Sequence, residues 1–284
     1  MDYRTDLALE RRELIAGSVP DGVSFEEEII DEVKITRIEI KTAGGEAALS
    51  KPKGRYITLD MPPLRANPTE CEKEIELIAK ELSPLVTKGC VLVAGLGNHN
   101  ITPDAIGPKT VEFTLSTRHV ADSLPQFNFR PVAAVAPGVM GQTGIETGDV
   151  IKGICDKIKA DCVIAVDALA SKSTHRLGSS IQISDSGICP GSGVGNARRE
   201  LSEKTLGVPV IAIGVPTVVD ALTVALDAND GEIKGQGAEE LKGLMVTPRE
   251  IDSLILSVSR VLALAIGRAL QPDLSVSDLY FLTQ

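Results

Sequence analysis

Four short, continuously apolar runs punctuate the middle of the chain: VLVAGLG from Val91, VAAVAPGV from Val132, VIAVDALA from Val163 and VIAIGVPT from Val210. A strand covered on both faces reads this way, and each run breaks into Gly, Pro or Asp at its carboxyl end. The intervening segments 103–122 and 144–160 have helical potential. Strand, loop and helix therefore repeat, and the pattern predicts an α/β core with a mostly parallel sheet flanked by helices. Ahead of it, VKITRIEIK from Val33 alternates apolar and polar residues and GRYITLDMP from Gly54 is β-rich, which predicts a hairpin or an N-terminal β extension. ECEKEIELIAKELSPLV from Glu70 has helical apolar spacing up to Pro84. TPREIDSLILSVSRVLALAIGRAL reads as one long buried helix, with Thr247 as N-cap and Pro248 at the first helical position. The polar stretch 227–243 has no apolar period and reads as a surface loop.

Composition narrows the function classes. With 29 basic and 39 acidic residues the net charge is −10, which disfavours a phosphate-neutralising surface, and eight aromatics without Trp disfavour a base-stacking platform. Direct nucleic-acid binding is not expected. Arg260 and the serines of the long helix argue against a membrane span, and the charged start MDYRTDLALERREL is unlike a signal peptide, so a cytoplasmic protein is expected. Cys71, Cys90, Cys155, Cys162 and Cys189 lack CxxC spacing and read as small buried hydrophobes.

In parallel sheets, ligands bind beyond the carboxyl ends of the strands, and two acids stand there. Asp167 interrupts the apolar run VIAVDALA, and Asp104 follows the Gly-rich turn GLGN in TPDAIGPK. Each has a plainer reading, Asp104 as a first-turn helix acid and Asp167 as an N-cap. Facing each other, they could share a proton, one carboxylate activating water while its protonated partner polarises a peptide carbonyl. The same oxygens could instead hold a divalent metal, and spacing leaves that choice open. Asn98 and His99 in the first loop, and Glu146 ahead of the second helical segment, are possible site-lining residues. No third glycine completes GxGxxG, since position 100 is Asn100, and no P-loop or HExxH occurs. The stretch ISDSGICPGSGVGN from Ile183 lacks the flanks of a nucleophile elbow and reads as a shaped loop; with GVMGQTG from Gly138 it could supply N–H groups to an oxyanion.

RTDLALE from Arg4, KGRYITL from Lys53, GLGN with TPDAIGPK, RPVAAVAPGVMGQTGIET from Arg130, AVDALA with IQISDSGICPGSGVGN, and PVIAIGVPTVVDA from Pro209 together resemble the germination protease family of endospore-forming bacteria, over nearly the whole chain. The resemblance implies an aspartic-type endopeptidase with Asp104 and Asp167 as its catalytic acids and no cofactor. It also implies a core like that of hydrogenase maturation endopeptidases, in which comparable acids bind metal. A metal-dependent endopeptidase of that type, or a noncatalytic binding module, is the alternative. The resemblance further implies a homotetramer of the spore core, made as a zymogen, that digests small acid-soluble spore proteins after an acidic residue. Self-cleavage between Asp6 and Leu7 would make residues 1–6 a propeptide and 7–284 a single peptidase domain, with its catalytic core at about 88–225. In this chain the polar loop after Ala221 is shorter than in longer family members, and Cys189 stands where some relatives carry histidine.

Overall fold

The computed structural model describes residues 3–284 apart from 16, 65, 122, 124–125, 127, 192–198 and 230–236. Its strands are β1 (Val23–Ile30), β2 (Val33–Ile40), β3 (Gly54–Asp60), β4 (Val91–Gly95), β5 (Val132–Val135), β6 (Cys162–Ser171), β7 (Ser180–Ser184), β8 (Val210–Asp220) and β9 (Met245–Val246). Its helices are α1 (Ala8–Glu13), α2 (Ala43–Leu49), α3 (Glu72–Leu82), α4 (Ile106–Phe113), α5 (Arg118–Ala121), α6 (Met140–Thr143), α7 (Thr147–Ile158), α8 (Glu203–Leu206), α9 (Ala221–Ala228), α10 (Gly237–Leu241), α11 (Ile251–Leu270) and α12 (Val276–Leu282).

One sheet runs β1-β2-β3-β7-β8-β6-β4-β5, with β9 paired to β8. The apolar runs form its parallel portion, β5-β4-β6-β8. The N-terminal extension is antiparallel, β2 pairing with both β1 and β3. β7 joins the two halves, antiparallel to β3 and to β8, so the sheet is mixed, with a larger antiparallel portion than the apolar runs alone predict. Side chains alternate across it. On β4, Val91 and Val93 pack under α3, α4, α11 and α12, whereas Leu92 and Ala94 meet α7 and α8. On β2, Val33 and Ile35 join the first of these layers, and Ile38 and Ile40 pack against α1 and α2.

Two local expectations change. The segment 103–122 is not one helix: the backbone turns extended at Thr114, and Thr117 N–H pairs with Val132 O at 3.0 Å, spending the helix on a link to β5. Thr247 does not cap α11 either; its hydroxyl donates to Thr217 O at 2.9 Å, and the helix starts at Ile251. The stretch 227–243 begins inside α9 and ends with α10, and its middle lies outside the described residues. Helix α11 is long and apolar enough to cross a membrane by length and composition, yet two-thirds of its apolar window is buried against the sheet and its neighbouring helices. Arg260, on its outer side, stacks over Phe113 of α4 at 4.9 Å.

Helix and sheet approach each other closely at the first turn of α4. A Cβ on Gly107 would stand 2.3 Å from Leu96 O and 2.4 Å from Val166 O, so the helix rests directly on the backbone just past the end of β4 and at the middle of β6. Backbone cannot yield there without breaking the sheet. Gly107→Ala should lower stability by about 3 kcal/mol or more and Tm by about 6 °C or more in calorimetry. Gly153→Ala, in open space on α7, should be neutral or slightly stabilising.

Candidate active site

Strand β6 outruns its neighbour. β4 ends at Gly95, level with Val166, and one further bond, Leu96 N–H to Val166 O at 2.8 Å, closes the ladder between them. Beyond that point the β4 side of β6 projects past the sheet. Asp167 is the first residue of this overhang, on the face shared with Val163 and Ala165, and is 4 % exposed. The feature that makes it conspicuous in the sequence, a carboxylate inside an apolar strand, is thus also what desolvates it. Its Oδ1 accepts the Ala168 N–H at 3.0 Å.

Asp104 reaches the same place from β4. After Gly95 the chain turns back through Gly97, whose φ of +110° belongs to the left-handed region, and enters a 3-10 turn at Thr102–Asp104. A Cβ at Gly97 would lie 2.0 Å from Asp104 O, so glycine alone allows the turn to close on the acid. Asp104 Oδ2 accepts the Asn98 N–H at 2.6 Å. The side chain is directed back to its own loop and not into the first turn of α4.

Asp104 and Asp167 line one cavity of about 380 Å³, together with Asn98 and Asp6 and with apolar walls from Leu96, Val139 and Leu169. Two other residues singled out in the sequence lie outside that lining. His99 is half exposed, its Nδ1 3.4 Å from Glu112 Oε1. Glu146 is the residue before α7, and Thr147 supplies the wall instead. Of the glycine-rich loop, Pro190 and Gly191 reach the cavity, whereas Ser192 and its followers lie outside the described residues. Thr217 also lines it, unforeseen in the sequence. The pairing of β6 with β8 shifts register between Leu169 and Ala170, leaving Thr217 as the extra, bulged residue; it is fully buried, and among the described residues its hydroxyl has no hydrogen-bond partner.

Asp6 occupies the overhang itself. Its N–H donates to Ala170 O at 2.9 Å and its Oδ2 accepts the Ala170 N–H at 2.9 Å, so one residue mimics a paired strand. Leu7 is buried completely, and Gln182 holds the peptide groups on either side: its Oε1 accepts from Ala8 N–H at 2.8 Å and its Nε2 donates to Asp6 O at 3.4 Å.

Burial, and after it the charge of Asp104, pushes the Asp167 carboxyl well above the ordinary carboxylate range; Ala168 N–H opposes this and Asp6 adds to it. Asp167 therefore keeps its proton where an ordinary aspartate has lost it, beside an acid that accepts a backbone N–H. Among the described residues no group of three or more His, Cys, Asp or Glu side chains is placed to hold a metal ion.

The family model described as germination protease matches residues 6–242. Similar proteins carrying that name include one from Clostridium acetobutylicum, 42 % identical over 97 % of this chain and 97 % of its own, and one from Caldanaerobacter subterraneus subsp. tengcongensis, 43 % identical over 98 % and 97 %. Another, from Halalkalibacterium halodurans, is 47 % identical over 84 % of this chain and 69 % of its own. Among solved structures, a [NiFe] hydrogenase maturation protease HycI from Thermococcus kodakarensis aligns with 67 % of this chain and 98 % of its own, at a TM-score of 0.40 and 20 % identity.

The raised Asp167 carboxyl has a consequence for stability. Below its ordinary value of 3.8 the group is protonated in both the folded and unfolded chain. As the pH rises, the unfolded chain releases the proton first, so Asp167 lowers stability progressively until the pH passes its folded value. Asp167→Asn, which mimics the protonated form, should therefore raise Tm by about 2 °C or more at pH 7, and thermal melts should show that gain shrinking toward zero near about pH 4.

Proposed function

The chain belongs to the germination protease family, and from that premise we propose that it is an endopeptidase of spore germination whose Asp104–Asp167 pair cleaves small acid-soluble spore proteins after an acidic residue. The observation that carries this reading is the meeting of the two acids in one cavity, one accepting a backbone N–H and the other buried and holding a proton. Asp104 is the better carboxylate, acting as base toward a water, and Asp167 the better acid, donating to the scissile carbonyl and then to the leaving amine.

An extended substrate suits the overhang of β6. The Ala168–Ala170 edge beside Asp167 offers main-chain groups to a strand, and Asp6 already pairs there with Ala170. Small proteins that are unfolded when off DNA could lie along it without first being pulled apart. The same contact supports the zymogen reading. Residues 1–6 then form a propeptide, cut between Asp6 and Leu7, and until it leaves its aspartate covers the substrate edge. Homotetrameric assembly and residence in the spore core belong to this proposal as well, the former measurable by sedimentation.

Asp104→Asn and Asp167→Asn should each lower turnover of a small acid-soluble spore protein by about 10³-fold, and the double variant little further, because the acids act as one unit. Fragmentation read by mass spectrometry also separates a peptidase from a binding module, which would retain the spore protein intact. Cleavage should be indifferent to dialysis against a chelator; loss on chelation with recovery on metal add-back would replace the acid pair by a metal mechanism. After incubation at mildly acidic pH, N-terminal sequencing should read from Leu7, and Asp167→Asn should keep its original N-terminus.

A further inference from the structure

A second cavity, of about 300 Å³, lies on the other side of Asp6, between β7, β8 and the segment leading into β3. Asp6 and Leu169 line both cavities, so the two spaces meet at the residue that precedes the proposed cleavage point. The second differs chemically from the first. Its walls include Tyr56, Gln182 and Ser184, and one lysine, Lys51, which is half-buried and makes no ion pair within 4 Å among the described residues.

A half-buried ammonium without a carboxylate partner is costly, and here burial lowers the Lys51 pKa while the charge of Asp6 raises it. Arg11 lowers it further and Cys189 raises it slightly, and the carboxylates in the lining are Asp6 and the exposed Glu200. An acidic side chain entering this cavity removes that cost, whereas an uncharged amide of the same shape does not.

We propose that the second cavity is the subsite for the residue on the amino side of the cut bond, and that Lys51 is the specificity-determining cation that selects an acid there. The inference rests on the peptidase reading above and deepens it by assigning the acid preference to a residue. Asp6, which lines the same cavity and raises the Lys51 pKa by its charge, is the acid that this chain's own N-terminal segment supplies there. Once residues 1–6 leave, the ammonium faces an empty subsite and takes the acid of an incoming substrate.

The cleavage test uses the chain from which incubation at mildly acidic pH has removed residues 1–6, and three synthetic peptides copying residues 1–14, one with Asp at the sixth position, one carrying Asp6→Asn and one carrying Asp6→Lys. Wild type should favour the aspartate peptide by about 10²-fold in kcat/KM. Lys51→Met should reduce that ratio to within about threefold, Lys51→Arg should restore it, and Lys51→Glu should shift preference to a peptide with lysine at that position. A folded Lys51→Met chain that keeps the wild-type ratio would overturn the assignment, as would a Lys51→Arg chain that cuts the aspartate and asparagine peptides equally. If wild type cuts none of the peptides, the peptidase reading fails, and a thermal cycle decides the fate of Lys51 separately. Under the assignment, Asp6→Asn lowers Tm in the wild-type background but much less in Lys51→Met, whereas equal losses in the two backgrounds count against it.

Discussion

Strand β6 continues past the end of β4 into a region where no neighbouring strand follows on that side, and the chemistry of the molecule is set by what fills the resulting notch. Asp167 begins the overhang and inherits the dry interior of the sheet below it. The turn from β4 into α4 brings Asp104 over it, closing only because Gly97 and Gly107 have no side chains to hold the backbone apart. Lengthening β4 would pair the overhang and fill the notch; shortening β6 would return Asp167 to water. The mismatch in strand length is therefore the geometric origin of both the cavity and the proton held within it.

This arrangement opposes stability. A carboxyl in a desolvated pocket beside another acid is an unfavourable group to keep, and Thr217 nearby contributes a buried hydroxyl with no partner among the described residues. Strained or unsatisfied groups concentrated where ligands bind are the usual sign of a site retained for reactivity and not for folding. The surrounding layers are built accordingly: α3, α4, α11 and α12 on one face and α7 and α8 on the other bury continuous aliphatic surface beneath the notch.

How much of this is visible in the sequence follows from what each element depends on. Strands β4, β5, β6 and β8 are legible because strands buried on both faces need unbroken apolar runs, and Asp167 is legible as an exception to one. Strand β1 is not, because VSFEEEII sits at the sheet edge with its three glutamates exposed, leaving little hydrophobic pattern. Strand β7 is five residues long and takes its identity from two antiparallel neighbours that are remote in sequence. The same remoteness hides Lys51, Gln182 and Thr217, whose roles exist only once β3, β7 and β8 are brought beside the N-terminal segment. His99 illustrates the converse: nearness in sequence to the right loop did not bring it into the cavity, since the tight turn faces it toward Glu112.

The N-terminal segment is anchored on both sides of Leu7, and Gln182 and the bond from the Thr5 hydroxyl to Glu10 tie the two sides together. Tyr3 stacks with the Lys172 ammonium, Arg4 reaches Asp220, and Asp6 pairs with Ala170. Beyond Leu7 the anchors are different: the buried Glu10 accepts N–H groups from Lys172 and Ser173, and its carboxylate lies 3.4 Å from Arg176, which also binds Glu13. Were the proposed cut made there, the strip ahead of it would still have to shed its contacts to Ala170, Gln182 and Glu10, while α1 stays riveted through Glu10 to the turn that follows β6.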